Sequence, residues 1–194
     1  MTSSDQTDLP ADAKERAALR VGASLDGAAL AADAAIGLRI AFACAEFNGG
    51  ITNRLLTGAL DALETAGGDL SGAVVTWVPG AFELPLVAQR LAASEVIDAV
   101  VCLGAVIRGE TGHYEFVAGE CASGLQRVQL DTGKPVVFGV LTTESVEQAL
   151  ARSEPGETNK GGEAVHAALR TAAVLSAVST TVRGHRVGFS TGGR

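Results

Sequence analysis

The chain has 194 residues, 47% of them hydrophobic and 4% aromatic, and its 22 acidic and 15 basic side chains give a formal net charge of -7. This length suits one α/β domain with a substantial core. The acidic balance excludes a typical nucleic-acid partner, because such binding depends on clustered Lys and Arg. The longest clean apolar run, residues 99–107, is about half of the ~20 residues that a membrane helix needs, so no membrane span is expected.

Three stretches of different composition divide the chain. Residues 1–36 mix Ala, Asp, Ser and Gly with a weak helical pattern, which predicts a disordered N-terminal extension. Residues 37–180 alternate short apolar runs with amphipathic stretches, which predicts a single α/β domain. Residues 181–194 are Gly-rich and contain Arg but no acid, which predicts a basic, flexible C-terminal tail.

The cysteines and the N-terminus bear on the cellular compartment. Cys44, Cys102 and Cys121 are odd in number and lack metal-ligand spacing, so we expect reduced thiols in the core and no metal site. The first residues show no basic segment followed by an apolar stretch, so no secretory signal is readable. A cytoplasmic protein is the expectation.

The apolar pattern beyond Gly37 alternates between strand and helix periods. Strands are predicted at residues 38–44, 73–78, 98–104 and 136–141. Helices are predicted at residues 51–66, 82–92, 113–130, 145–152 and 161–180, with a capping box of Ser145 and Gln148. Since parallel strands need crossover connections, this order predicts a three-layer, flavodoxin-like unit: a four-stranded parallel sheet flanked by helices on both faces.

Ligands of open parallel sheets bind beyond the carboxyl ends of the strands, so the segments after each strand are the candidate sites. These segments are residues 45–50, 79–83, 108–113 and 142–143. The third is the richest in chemistry, because its glycines, its amide groups and the Thr111 hydroxyl precede a helix and suit an anion. His113 follows, and an imidazole both takes and gives protons near neutrality. On spacing alone, an exposed histidine in the first turn of a helix is slightly favoured.

The other segments offer weaker signals. Phe82 and Glu83 follow a Pro-Gly turn and provide a ring face and a carboxylate for sugar-like hydroxyls, although an ordinary helix start also explains them. Phe47 offers a ring for a heterocycle, although an aromatic residue at a strand end more often packs in the core. A third group favours a solvated face on composition alone: Arg152, Lys160 and Glu163.

Four motifs taken together are far more specific than any one of them. They are Phe47-Asn48, Val78-Pro79-Gly80-Ala81-Phe82-Glu83-Leu84-Pro85, Gly104-Ala105-Val106-Ile107-Arg108-Gly109-Glu110-Thr111-Gly112-His113 and Asn159-Lys160-Gly161. In this order the chain resembles the lumazine synthase (6,7-dimethyl-8-ribityllumazine synthase) family over residues 37–175. Both extensions lie outside the resemblance.

The resemblance implies a transferase of riboflavin biosynthesis. The implied reaction condenses 5-amino-6-(D-ribitylamino)uracil with 3,4-dihydroxy-2-butanone 4-phosphate to give 6,7-dimethyl-8-ribityllumazine, phosphate and water. The resemblance implies no cofactor. A non-catalytic flavin- or lumazine-binding or shell-forming protein on the same fold is the alternative, because fold does not fix function. A flavodoxin-like electron carrier is a weaker third interpretation, suggested by the fold alone.

The resemblance also implies roles for individual residues. His113 would relay protons. The pyrimidine and ribityl groups would contact Phe47, Asn48, Gly80, Ala81, Phe82, Glu83, Val106, Ile107, Phe138, Lys160 and Glu163. The phosphate would be bound by Glu110, Thr111 and Arg152. Of these residues, four would enter from a neighbouring subunit: Phe138, Arg152, Lys160 and Glu163.

The partners implied are the two small-molecule substrates and further copies of the chain. The family forms homopentamers, some of which assemble into shells of 60 subunits, and riboflavin synthase is a further candidate partner. The short linker at residues 153–159 resembles that of shell-forming members. Residues 28–36 are Ala-rich and poor strand formers, which weighs against an added edge strand before the first strand.

Overall fold

Four parallel strands form a sheet in the computed structural model of the chain, which describes residues 25–31 and 35–184. The strands are β1 (Ile40–Ala45), β2 (Val74–Val78), β3 (Ala99–Ile107) and β4 (Val136–Thr143). Their order is β2-β1-β3-β4, and each neighbouring pair is parallel. The predicted four-stranded parallel α/β fold is confirmed.

Helices cover both faces of this sheet. They are α1 (Gly27–Leu30), α2 (Gly49–Thr65), α3 (Leu84–Ala92), α4 (His113–Thr132), α5 (Val146–Arg152) and α6 (Lys160–Gly184), with short 3-10 turns at Leu70–Gly72 and Ala81–Glu83. None of the helices within the described ranges is both long and apolar enough to cross a membrane.

Two hydrophobic layers form because successive side chains of a strand point to opposite faces. Ile40, Phe42 and Cys44 of β1 pack in the layer that contains α2 and α6. Ala41 and Ala43 pack in the layer that contains α3 and α4. Every residue of β1 is buried, so a strand in the middle of the sheet is apolar throughout instead of alternating.

The edge strand β2 is more open than the strands beside it. Val74, Val75 and Trp77 are each 40% exposed. Their exposure follows from position, since β2 pairs with β1 on one side and no strand among the described residues pairs with it on the other. Residues 25–31 and 35–39 form no strand before Ile40 within this chain.

The strands differ from the predicted ones mainly at their ends. The first strand begins at Ile40 because the amide of Arg39 donates to the carboxylate of Asp98, at 2.8 Å, instead of joining the ladder. β3 continues three residues past the predicted end at residue 104, because it pairs with β4 as far as Ile107 and Thr143. Val106 and Ile107 therefore lie on a strand and not in the loop that follows it.

The helices differ in the same way. The predicted helix 82–92 starts as a 3-10 turn and becomes α-helical at Leu84, with Pro85 in its first turn. The last helix continues four residues past the predicted end at Thr180, to Gly184, so the first part of the predicted tail is helical. The side-chain hydroxyls of Ser179 and Thr180 donate to carbonyls four residues back and so remain compatible with the helix.

Part of the predicted N-terminal extension is also helical. The short helix α1 packs against α6, and a methyl group at Gly27 would lie 3.0 Å from the carbonyl oxygen of Arg170. Residues 1–24, 32–34 and 185–194 lie outside the described residues, and with them most of both predicted extensions.

Candidate active site

A cavity of about 610 Å³ opens at the carboxyl ends of β1, β2 and β3, and we call it the loop cavity. Because parallel strands end at the same edge, their following loops converge there. The cavity is lined by Phe47, Pro79, Gly80, Ala81, Phe82, Glu83, Ala105, Val106, Ile107, Gly109, Thr111, His113, Tyr114, Phe116 and Val117. Nine of the predicted site residues are among them: Phe47, Gly80, Ala81, Phe82, Glu83, Val106, Ile107, Thr111 and His113.

Two aromatic rings that line this cavity, those of Phe47 and Phe82, are largely exposed to solvent. Phe47 is 72% exposed and Phe82 is 56% exposed, so neither ring is core filler. The backbone holds the first ring in place, because the amide of Glu46 donates to the carbonyl of Val78 at 2.8 Å and that of Phe47 to Pro79 at 3.0 Å. The β1–β2 pairing thus extends past the strands and fixes the loop that carries Phe47.

Asn48 braces the site instead of lining it. Its backbone is left-handed, with φ 60° and ψ 33°, a conformation that Asn tolerates better than most residues. Its side-chain Nδ2 donates to the carbonyl oxygen of Ala105 at 2.8 Å. The residue therefore ties the loop after β1 to the end of β3. Asn48 is not among the residues that line the loop cavity, and its contact with substrate stays a prediction.

Arg108 organises the loop that leads to His113, a role that the sequence did not reveal. Its guanidinium contacts the carboxylate of Glu115, lies 2.7 Å from Oε2 of Glu144 through Nε, and stands 4.1 Å from the ring centre of Tyr114. Hydrogen bonds to Glu115 and then Glu144 raise the pKa of Arg108 above its ordinary value. The hydrogen bond from Arg108 likewise holds the pKa of Glu115 below 4.5. These contacts, the Arg108 clasp, fix both ends of residues 109–112.

The N-terminus of α4 is open to an anion. Gly112 occupies the cap position and has no side chain to cap the helix, and the amide of His113 donates a long hydrogen bond, 3.5 Å, to the Thr111 hydroxyl. First-turn amides carry partial positive charge and, when uncapped, are free to donate to a bound anion. Thr111 and His113 line the loop cavity here, whereas Glu110 lies on the loop outside its wall.

A second recess, of about 390 Å³, runs along β4, and we call it the β4 recess. It brings together the remaining predicted residues apart from Asn48 and Glu110: Phe138, Arg152, Lys160 and Glu163. Within the chain these four side chains do not line the loop cavity. The predicted set is therefore divided between two recesses of one molecule.

The charged groups of the β4 recess are presented by α5 and α6. Nη1 of Arg152 donates to the carbonyl of Gln148 at 3.0 Å. Lys160 Nζ donates to both carboxylate oxygens of Glu163, at 2.6 and 2.7 Å, which keeps the two side chains together on the first turn of α6. All three lie beside the exposed ring of Phe138.

The predicted cap of α5 is confirmed with one difference. The hydroxyl of Ser145 accepts from the amide of Gln148 at 3.3 Å, as expected. The Gln148 side chain, however, accepts from the amide of Glu144, at 3.0 Å, one residue before the cap. The start of the helix that ends at Arg152 is thus held from two directions.

Some residues of the loop cavity were missed from the sequence. Tyr114, Phe116 and Val117 line it although no motif singled them out. The spacing of His113, Phe116 and Val117, at i, i+3 and i+4, places them on one face of α4, so the helical period would have identified two of them. No group of three or more His, Cys, Asp or Glu in the described part of the chain is arranged to hold a metal.

The parallel sheet, the aromatic rings and the open helix N-terminus at its carboxyl edge define an α/β protein built to bind a small anionic or heterocyclic ligand. Comparison with known families is more specific. The family described as 6,7-dimethyl-8-ribityllumazine synthase matches residues 37–176, and the chain belongs to this family. The 6,7-dimethyl-8-ribityllumazine synthases of two strains of Thermus thermophilus are each 54% identical to it over 143 residues, which cover 74% of this chain and 91% of theirs. The resemblance stated from the motifs is confirmed.

Proposed function

We propose that this chain condenses 5-amino-6-(D-ribitylamino)uracil with 3,4-dihydroxy-2-butanone 4-phosphate to give 6,7-dimethyl-8-ribityllumazine, phosphate and water, as a transferase of riboflavin biosynthesis. Family membership supports this activity. The observation that carries it is the convergence of exposed aromatic rings, a carboxylate and a histidine at an open helix N-terminus on the loop cavity.

The pyrimidine substrate would occupy the apolar part of the loop cavity. Its volume of about 610 Å³ lies within the range of ligand sites, ~300 to 1,000 Å³. The exposed ring of Phe47 would stack on the heterocycle, since aromatic faces pair with other π-systems. The Glu83 carboxylate would accept hydrogen bonds from ribityl hydroxyls, with the buried Ala81 backbone beside it. Val106 and Ile107 would bound the edge of the ring.

The phosphate substrate would bind where α4 begins. Backbone amides of Glu110 and Thr111, at the positive end of α4, would donate to phosphate oxygens, with Arg152 adding a guanidinium. When the phosphate leaves, negative charge develops on it. Fixed N–H donors and a guanidinium stabilise such charge without having to reorganise, which makes them the largest single aid to this step.

His113 would transfer protons in the successive steps of the condensation. Attack of the amine on the ketone, loss of water, loss of phosphate and ring closure with loss of a second water each transfer a proton to or from nitrogen, carbon or oxygen. An imidazole does both near neutrality. His113 is exposed on the wall of the loop cavity, where it faces ligand and solvent alike.

The complete site would need a second copy of the chain. Arg152, Phe138 and the Lys160–Glu163 pair line the β4 recess and not the loop cavity, so the β4 recess of one copy would close the loop cavity of the next. Such a head-to-tail interface generates a ring when its rotation closes. We propose a homopentamer, with a 60-subunit shell as the larger assembly and riboflavin synthase as a further partner.

One experiment tests the activity and the assembly together. Purified protein mixed with both substrates should produce the fluorescence of the lumazine and release one phosphate per product, while light scattering gives the mass of the particle. If the protein binds the pyrimidine substrate but produces neither fluorescence nor free phosphate, the alternative is favoured: a non-catalytic binding protein on the same fold.

A further inference from the structure

A buried amide between α5 and α6 makes an unusual number of hydrogen bonds. Asn159 is 1% exposed and precedes the first residue of α6. Its Nδ2 lies 3.0 Å from the carbonyls of Ser153 and Glu154 and 3.3 Å from that of Arg54. Its Oδ1 accepts from the amides of the first turn of α6, at 2.9 Å for Gly161 and 3.3 Å for Gly162.

The helices around this amide are packed at backbone distance. A methyl group on Gly58 of α2 would lie 2.3 Å from Cγ of Asn159. One on Gly161 would lie 1.9 Å from the carbonyl oxygen of Leu55. Glycine is required at both positions because only a residue without Cβ allows this approach. The Asn159 side chain is therefore enclosed between α2 and α6.

The hydrogen-bond partners of Asn159 lie at the end of α5 and at the start of α6, the two helices that carry the charged groups of the β4 recess. Ser153 directly follows Arg152, and the bonded first turn of α6 carries Lys160 and Glu163. The amide of Glu163 donates to the backbone carbonyl of Asn159 at 3.0 Å. One side chain thus anchors the end of α5 and the beginning of α6 to each other and to α2.

We propose that Asn159 is a positioning residue for the condensation: it fixes the separation between the Arg152 guanidinium and the Lys160–Glu163 pair. The proposal rests on the proposed function, in which these groups bind the phosphate and the pyrimidine parts of the reactants. A cation held at a fixed distance from the pyrimidine site aligns the two substrates, and alignment is a major source of rate in a two-substrate reaction.

Asn159→Asp separates this role from simple helix capping. Asp and Asn are equally good N-caps, so the variant retains the acceptor for the amides of Gly161 and Gly162. It loses the N–H donors to Ser153, Glu154 and Arg54. We expect the thermal midpoint to fall, because a buried carboxylate oxygen then faces carbonyl oxygens, while the fold and the particle mass are retained. The KM for the phosphate substrate should rise and the KM for the pyrimidine substrate should change little. The expected loss in kcat/KM is about 10- to 100-fold.

Gly58→Ala tests the same point without changing the residue at position 159, since the new methyl group must displace the amide. Its matched control is Gly119→Ala, also inside a helix, where a methyl group meets no atom within 4 Å. We expect the KM for the phosphate substrate to rise in Gly58→Ala and to be unchanged in Gly119→Ala. If Asn159→Asp does not fold, this pair decides the proposal, and equal KM values for the two glycine variants overturn it.

Combining Asn159→Asp with Arg152→Ala shows whether the amide acts through the guanidinium. If it does, the double variant has the same KM for the phosphate substrate as Arg152→Ala alone, because no guanidinium remains for Asn159 to position. Multiplied losses overturn the proposal, and so does a wild-type KM in Asn159→Asp. A failure of the proposed function looks different: the wild type makes no lumazine, or Arg152→Ala binds the phosphate substrate normally.

Discussion

The loop cavity and the β4 recess are built in different ways. The loop cavity lies where three strands end, and backbone hydrogen bonds past the strands, the Asn48 brace and the Arg108 clasp hold its walls within one chain. The β4 recess lies along the flank of an edge strand, and its charged groups come from two helix ends joined by a linker. The first provides aromatic rings and the histidine proposed to transfer protons, and the second provides a cation and an ion pair.

The register of the sheet explains why one chain keeps these two sets apart. Phe138 pairs with Cys102, whereas Thr143 pairs with Ile107, at the end of β3 where the loop cavity opens. Those five residues of strand correspond to about 16 Å at ~3.3 Å per residue. Within one chain the ring at position 138 therefore lies away from the end of β3, which favours its predicted role as a contribution to a neighbouring subunit's site.

The largest effect is expected from variants that disable one recess each. Arg152→Ala should lower kcat/KM for the phosphate substrate about 10²- to 10³-fold, because it removes a charged donor to the leaving group. When Arg152→Ala and His113→Ala chains are co-expressed, about one quarter of the shared sites should be intact by random mixing. The measurement is lumazine formation by the mixed particles against each variant alone.

The control for mixing is a blend of the two variants purified separately and combined without subunit exchange. Activity in the mixed particles that equals the mean of the two parents would mean that each chain contains a whole site.

His113→Ala should have the next largest effect. A general acid–base group contributes ~10²- to 10⁴-fold, and orientation by the cavity remains in its absence, so we expect about a 10²-fold lower kcat with KM values little changed. Steady-state kinetics with both substrates measures this. His113→Gln, which keeps a polar side chain but cannot relay a proton at neutral pH, should be equally slow. If either variant is as fast as the wild type, His113 does not transfer protons in the reaction.

Much of the loop cavity could be predicted from the sequence because its residues follow strands, and local patterns locate strand ends. The position of Asn48 could not, because its partner is the carbonyl of Ala105, 57 residues away. The Arg108 clasp also escaped prediction, since Glu144 reaches it from the loop after another strand. Asn159 was visible as part of a motif, but its role depends on the meeting of α2 and α6, which no local pattern records.

The Arg108 clasp should have a smaller effect, and it depends on pH. Since the pKa of Glu115 is held below its ordinary value of 4.5, the ion pair stabilises the fold above that pH and its contribution is lost as pH falls through the lowered pKa. Arg108→Gln should change the thermal midpoint only slightly, because exposed ion pairs contribute little. It should raise the KM for the phosphate substrate several-fold by loosening residues 109–112. Thermal unfolding from pH 7 down to about pH 3 tests the pH dependence, and steady-state kinetics near neutral pH tests the KM. An unchanged KM would show that the Arg108 clasp does not support the phosphate site.

The smallest effect is expected at the three buried thiols of the two core layers. Burial raises the pKa of Cys44 and Cys121 to about 12 and that of Cys102 well above its ordinary value. Native protein should therefore resist iodoacetamide, with full activity, until the chain opens. Because unfolded thiols ionise near 9.0, stability should fall as pH rises above that value.

Mass spectrometry of partly labelled protein shows which of the two hydrophobic layers unfolds first. Cys44 lies in the layer that contains α2 and α6, and Cys121 lies in the layer that contains α3 and α4. Rapid labelling of either cysteine in active enzyme would contradict the packing described for that layer.

The open edge of β2 equips the chain with an optical reporter. Trp77 is the only tryptophan of the sequence, and its indole is 40% exposed on that strand. A polypeptide that covers this edge together with the indole would remove water from the ring and move its emission to shorter wavelength. In the unlabelled protein, and without substrate, tryptophan emission would therefore report whether a second chain adds to β2.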